Sequence, residues 1–139
     1  MPRKAPYGFS RGNLVLSLPL ASGFSITTAA NVMLSYLPGF SFVIEKVTVV
    51  NTVASAGSGA TRTLNIRKGS ASGTVVATKA IVLADCGLAT VVDVPVTAAN
   101  ATYGDADTIT VDLGGSGTAF STFEANLVIQ YRALPQRDR

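Results

Sequence analysis

The chain has 139 residues, of which 47% are hydrophobic and only 14% charged, with a net charge of +3, one cysteine and no histidine. Such a length fits one domain on the usual scale of roughly 100–200 residues and buries about two-thirds of its unfolded surface, so neither metal nor disulfide is needed to hold a core. Cys86 alone cannot form an intramolecular disulfide, and the absence of histidine excludes a Ser-His-Asp triad and leaves no ligand set for structural zinc.

Taken in chain order, the first segment, residues 1–13, reads as a basic arm carrying Arg3, Lys4 and Arg11. The apolar run Leu14–Ala21 follows those charges as a secretory signal would, but Ser17 and Pro19 interrupt it, and the expectation is an uncleaved, soluble chain. Strands are expected at Leu14–Leu20 and Val32–Tyr36, bounded by Ser22-Gly23 and Pro38-Gly39. In Phe40–Ala54 the apolar parity changes: Phe42 and Ile44 share one face, Val47 and Val49 the other. An extra residue at Glu45–Lys46, a β-bulge, would bring both sets inward.

Leu64 and Ile66 alternate with Thr63, Asn65 and Arg67. Candidate strands Thr74–Leu83 and Ala89–Thr97 come after the Gly69–Gly73 turn. Ile109, Val111 and Leu113 then alternate with Thr108, Thr110 and Asp112. The last run sets Phe123, Ala125, Leu127, Ile129 and Tyr131 against Glu124, Asn126, Val128, Gln130 and Arg132. The remaining residues, 133–139, form a second basic tail, so the sandwich domain is expected over 14–132.

About eight strands with no helical periodicity predict an all-β fold, an antiparallel two-sheet sandwich of jelly-roll type. An immunoglobulin-like sandwich is the alternative, but its paired Cys and its Trp are absent.

Charge divides unevenly. Residues 1–11 hold three cations, and residues 132–139 hold Arg132, Arg137 and Arg139 against Asp138, so the ends are basic and the body faintly acidic. Two readings stand: arms that seek an acidic partner surface, or charges that merely solvate the termini. Nucleic-acid affinity would rest on those six terminal cations, and direct nucleic-acid contact is not expected as the primary role.

Sites for chemistry are few. Gly57-Ser58-Gly59 and Gly114-Gly115-Ser116-Gly117 lack the GxxxxGK[ST] pattern and read as loops. Asp105, Asp107 and Asp112 are close in sequence but lack the acidic density and terminal Glu of a calcium loop. The carboxylates show no acid and nucleophile pair. Cys86, with no histidine base in the chain, reads as a small buried thiol. Asn100-Ala101-Thr102 is a glycosylation sequon that matters only in a secreted chain. No catalytic residue, metal or cofactor is expected, and the protein reads as non-enzymatic.

The segments FVIEKVTVVNT (Phe42–Thr52), TLNIRKGSASGTVV (Thr63–Val76), AANATYGDADTITVDLGG (Ala98–Gly115) and FEANLVIQYRAL (Phe123–Leu134) together resemble the small β-sandwich decoration, or cement, proteins of tailed-bacteriophage capsids. The resemblance implies a place on the outside of a virion, the major capsid protein as partner, assembly of identical copies with a trimer favoured, and clamping of neighbouring capsomers. Arg3, Lys4, Arg11, Arg132, Arg137 and Arg139 would then reach acidic patches on the shell. Two other readings remain open: a carbohydrate- or receptor-binding module of a fibre or tail, with Tyr103 as its one candidate stacking platform, or a small jelly-roll major capsid subunit.

Overall fold

The protein is described by a computed structural model that covers residues 14–20, 31–54, 61–115 and 124–135. Nine strands lie within them: β1 (Leu14–Pro19), β2 (Asn31–Tyr36), β3 (Phe42–Asn51), β4 (Arg62–Lys68), β5 (Thr74–Ile81), β6 (Val91–Val94), β7 (Thr102–Tyr103), β8 (Ile109–Gly115) and β9 (Ala125–Ala133). One sheet runs β1-β9-β3-β6, with β7 also on β3; the other runs β2-β8-β4-β5.

The antiparallel pairs β1/β9, β2/β8, β3/β6 and β4/β5 are those of one long hairpin whose tip is the turn at residues 69–73. Winding that hairpin over itself creates the further pairs β3/β9 and β4/β8 and divides the strands between two sheets. This is the jelly roll that the sequence predicts, a fold that protects most of its edges by doubling the sheet.

Alternation explains the packing. Leu64 and Ile66 of β4 and Ile109, Val111 and Leu113 of β8 are buried against Phe42, Ile44, Val47 and Val49 of β3 and Leu127 and Ile129 of β9 in one cluster. Each such side chain contributes roughly 1.5–3 kcal/mol relative to exposure. In β3 the register shifts between Ile44 and Lys46, so Glu45 is the bulged residue and the apolar positions on both sides of it point inward.

At the Phe42 end an aromatic group closes the core. Phe42 stacks on Tyr103 at 4.8 Å between centroids, and Tyr131 meets Phe42 edge-on at 5.6 Å. The Tyr103 hydroxyl donates to the Arg67 carbonyl at 3.1 Å, which ties β7 of one sheet to β4 of the other. One side of the sandwich is also laced shut: Ala77 bridges Val96, the Thr97 N–H donates to Val76 O at 2.8 Å, and the Thr78 N–H to Pro95 O at 3.2 Å.

Three expectations are corrected. The strand expected to reach Leu83 ends at Ile81, because Leu83–Cys86 form a 3-10 turn whose entry is held by the Val82 N–H donating to Asp85 Oδ2 at 3.0 Å. The run expected over Ala89–Thr97 is regular only at Val91–Val94, since Pro95 has no N–H to continue the ladder. A ninth strand, β7, has two residues and is too short to show any period. In the hairpin tip, Gly69 has φ +92, and a Cβ on Gly73 would lie 2.1 Å from the Lys68 carbonyl oxygen, so both positions need glycine.

Candidate functional site

Five of the six basic residues expected to meet a partner, Arg3, Lys4, Arg11, Arg137 and Arg139, lie outside the described residues. Arg132 lies in β9 with its side chain on the outer face, where its Nε is 3.8 Å from Glu45 Oε2 and both groups are about half exposed. Such a pair is worth little, roughly 0–1 kcal/mol, and leaves both charges open to exchange partners.

The two outer faces of the sandwich differ chemically. On the β2-β8-β4-β5 sheet the outward residues satisfy one another. Asp112 accepts from Arg67 Nε at 2.6 Å and from Asn65 Nδ2 at 3.1 Å; Asn65 Oδ1 accepts from Thr78 Oγ1 at 2.8 Å; Arg67 also donates to Gly73 O at 3.0 Å; and Thr110 donates to Gly69 O. This network lies flat enough to leave the Asp112 side chain only 2% exposed.

Among the described residues, the outer face of the β1-β9-β3-β6 sheet has few such bonds. Register places its outward side chains in rows: Val15, Gln130 and Lys46; then Ser17, Val128, Thr48 and Asp93; then Pro19, Asn126, Val50 and Val91. Its charges lie at the Arg132 end and in the middle row, where Arg132 lies near Glu45 and Lys46 lies 3.9 Å from Asp93. The rest is uncharged and largely β-branched, with Val15 56% and Val91 62% exposed and Leu88 beside the Asn51–Thr90 link at 66%. The β2-β8-β4-β5 sheet also exposes apolar groups, Val32 at 49% and Tyr36 at 37%, so what distinguishes the β1-β9-β3-β6 face is its scarcity of polar cross-links among the described residues, which leaves it open to protein contact.

The signal for this face is present in the sequence. Val128 and Val50 stand at positions whose neighbours two residues away are polar, Gln130 and Asn126 in one strand and Thr48 in the other, so alternation alone points them outward.

The groups weighed for chemistry are engaged elsewhere. Cys86 is buried and donates to Val82 O at 3.4 Å, and burial, helped by the charge of Asp85, pushes its thiol up to about 11, away from a nucleophilic thiolate. Asp107 accepts the Gly104 N–H at 2.7 Å and Asp112 is held by Arg67, so the two carboxylates cap a turn and anchor a sheet. Asn100 uses its side-chain N–H to donate to Val75 O at 3.0 Å, which makes the sequon asparagine a fastening of the segment after β6. Tyr103 is fully buried, and burial followed by the Asp107 charge raises its hydroxyl above the usual tyrosine range. A ring so enclosed cannot be a sugar-stacking platform, and the carbohydrate reading loses the residue that supported it.

Strand order and register define the molecule as a jelly-roll β-sandwich. No family model matches the chain and no curated protein matches it. Among solved structures it is similar to a chain of the cyanophage Pam1 capsid asymmetric unit, with a TM-score of 0.51 and 16% identity over 97% of this chain and 95% of that one. A looser likeness, with a TM-score of 0.37 and 14% identity, is to infectious bursal disease virus Gx strain and covers 88% of this chain but 37% of that one. The first likeness establishes a shared fold over two chains of nearly equal length.

Proposed function

We propose that the protein is a virion structural protein that decorates the outside of a phage head and strengthens contacts between capsomers. The observation that carries the reading is the end-to-end likeness to a chain of similar length within a capsid asymmetric unit. Two features support it. The side chains with chemical potential, Cys86, Tyr103, Asp107 and Asp112, are used to hold the fold, which suits a non-enzymatic part. The outer face of the β1-β9-β3-β6 sheet, with Val15 and Val91 exposed and its charges confined to two ion pairs among the described residues, suits protein contact.

On this reading the major capsid protein is the partner, and the basic ends, with Arg3, Lys4, Arg11, Arg137 and Arg139, supplement the sandwich by meeting acidic shell surface. The same likeness suits a second reading, a small shell subunit, because a capsid asymmetric unit can hold shell and decorating chains alike. The first is preferred because a lining subunit would ordinarily face packaged nucleic acid with a more strongly basic arm than three cations in eleven residues.

Cosedimentation with shells assembled from the major coat protein of the same genome separates the two. Saturable binding to preformed shells, by a chain that stays small on its own, supports decoration. Closure of the purified chain into shells by itself supports the shell-subunit reading and overturns the first.

A further inference from the structure

We propose that the outer face of the β1-β9-β3-β6 sheet joins two copies of this chain about a two-fold axis that runs parallel to the strands between β3 and β9. The inference stands on the face itself and does not depend on the capsid reading.

The argument begins with what a second copy would meet. Two sheets stacked face to face lie about 10 Å apart with their strands roughly aligned. A two-fold axis along the strands keeps each residue's height and exchanges left for right, so β3 faces the second copy's β9 and β6 faces its β1. The observed register then dictates the facing residues. Thr48 meets the second copy's Val128, Val50 its Asn126, Lys46 its Gln130, and Val91 its Pro19.

Charge follows the same rule. Arg132, in register with Val43 and beside the bulged Glu45, faces the second copy's Val43–Glu45 segment, so each copy offers a carboxylate to the other's guanidinium. No two like charges meet. An axis across the strands would instead invert the height and lay the Arg132–Glu45 end on the row of Pro19, Val50 and Val91, burying charge against apolar surface at a cost of several kcal/mol. The parallel axis is therefore the one this surface accepts, and it is isologous, as two-fold contacts are.

Size sets the strength. Four strands about 4.8 Å apart and six or seven residues at about 3.3 Å give a flat footprint of roughly 400–500 Å² per copy. A stable interface of standard size takes about 800 Å² per partner, so the pairing is weak alone, with a dissociation constant on the order of tens of micromolar.

Sedimentation velocity over a concentration range that brackets that constant by about tenfold on each side tests it. The expected result is reversible dimer, near twice 14.3 kDa, that persists at high salt because the contact is mainly uncharged. Val128→Lys, at the centre of the face and pointing outward, raises the dissociation constant by about tenfold or more because two ammonium groups would be desolvated against Thr48. Val91→Glu, at an exposed edge, weakens it by a lesser factor. Val32→Glu, also exposed (49%) but on the other sheet, leaves it unchanged, and circular dichroism confirms that each variant is folded. A monomer throughout the range, a trimer, a dimer that salt dissolves, or a dimer that survives Val128→Lys and Val91→Glu overturns the proposal. None of these outcomes bears on shell binding, which is measured separately.

Discussion

The Arg67–Asp112 pair on the outside of β4 and β8 allows a sharp energetic test. The Asp112 side chain is 2% exposed and that of Arg67 is 21% exposed, so the two partners respond differently when left alone. Arg67→Met removes the Nε donor and strands the carboxylate with Asn65 as its remaining side-chain donor, and it also removes the bond to Gly73 O. Breaking a buried pair in this way costs about 3–5 kcal/mol. In Asp112→Ala the orphaned guanidinium keeps its bond to Gly73 O and can turn its exposed side to water, so the cost is smaller, about 2–3 kcal/mol.

Because both variants lose the same contact, Arg67→Met/Asp112→Ala costs less than the sum of the singles, with a coupling energy of about 1.5–3 kcal/mol. Urea unfolding of the four proteins measures this, and the corresponding fall in Tm is about 3–4 °C per kcal/mol for a domain of this length. Additive single variants, with coupling below about 0.5 kcal/mol, would refute the claim that the pair is a desolvated unit. A larger loss in Asp112→Ala than in Arg67→Met would refute the burial asymmetry.

Further outcomes follow from other parts of the molecule. Cys86 keeps its proton in the folded state up to about 11 from an ordinary value of 9.0, so the unfolded chain gains the extra ionisation first. Stability is therefore full below pH 9 and falls as pH rises from 9 toward 11, and Cys86→Ala flattens that slope in urea titrations at successive pH values. Ala89 has φ 63, a left-handed conformation that costs a side-chain-bearing residue about 1–2 kcal/mol, while its N–H donates to Asn51 O at 2.9 Å. Ala89→Gly keeps that bond and raises the unfolding free energy by about 0.5–1 kcal/mol after the greater entropy of glycine is counted. Asn100→Ala leaves Val75 O without its side-chain donor and lowers stability by about 1 kcal/mol, measured by thermal melting.

Alternation made most of the fold legible. Ile109, Val111 and Leu113, and Leu127 with Ile129, point inward as their spacing requires, and the parity change across Glu45 coincides with the register shift between Ile44 and Lys46. What local pattern could not carry was the length of short elements. Thr102–Tyr103 pairs with Phe42–Val43 because Tyr103 has a stacking partner, Phe42, far earlier in the chain, a tertiary cause with no local trace. At the end of β5, Val82 and Leu83 are apolar enough in sequence to prolong a strand, whereas Asp85 folds back on the Val82 N–H and tightens the chain into a turn.

The candidate surface was harder to read than the fold. Net charge draws attention to the terminal arginines, yet of these Arg132 is already paired across the bulge with Glu45. The β1-β9-β3-β6 face has no motif and appears only when Val15, Val50, Val91 and Val128, which are distant in sequence, are brought into adjacent strands. Asp112 shows the reverse: a polar position correctly assigned to the outer face, but enclosed there by Asn65 and Arg67 rather than presented to solvent.

The measurement closest to the central claim is a cryo-EM reconstruction of heads assembled from the major coat protein of the same genome, with and without this chain added. The account predicts additional density of one sandwich per bound chain on the outer surface, bridging neighbouring capsomers and absent from untreated heads. Heads whose outer surface is unchanged at saturating chain, or sandwiches found within the shell wall itself, would contradict it.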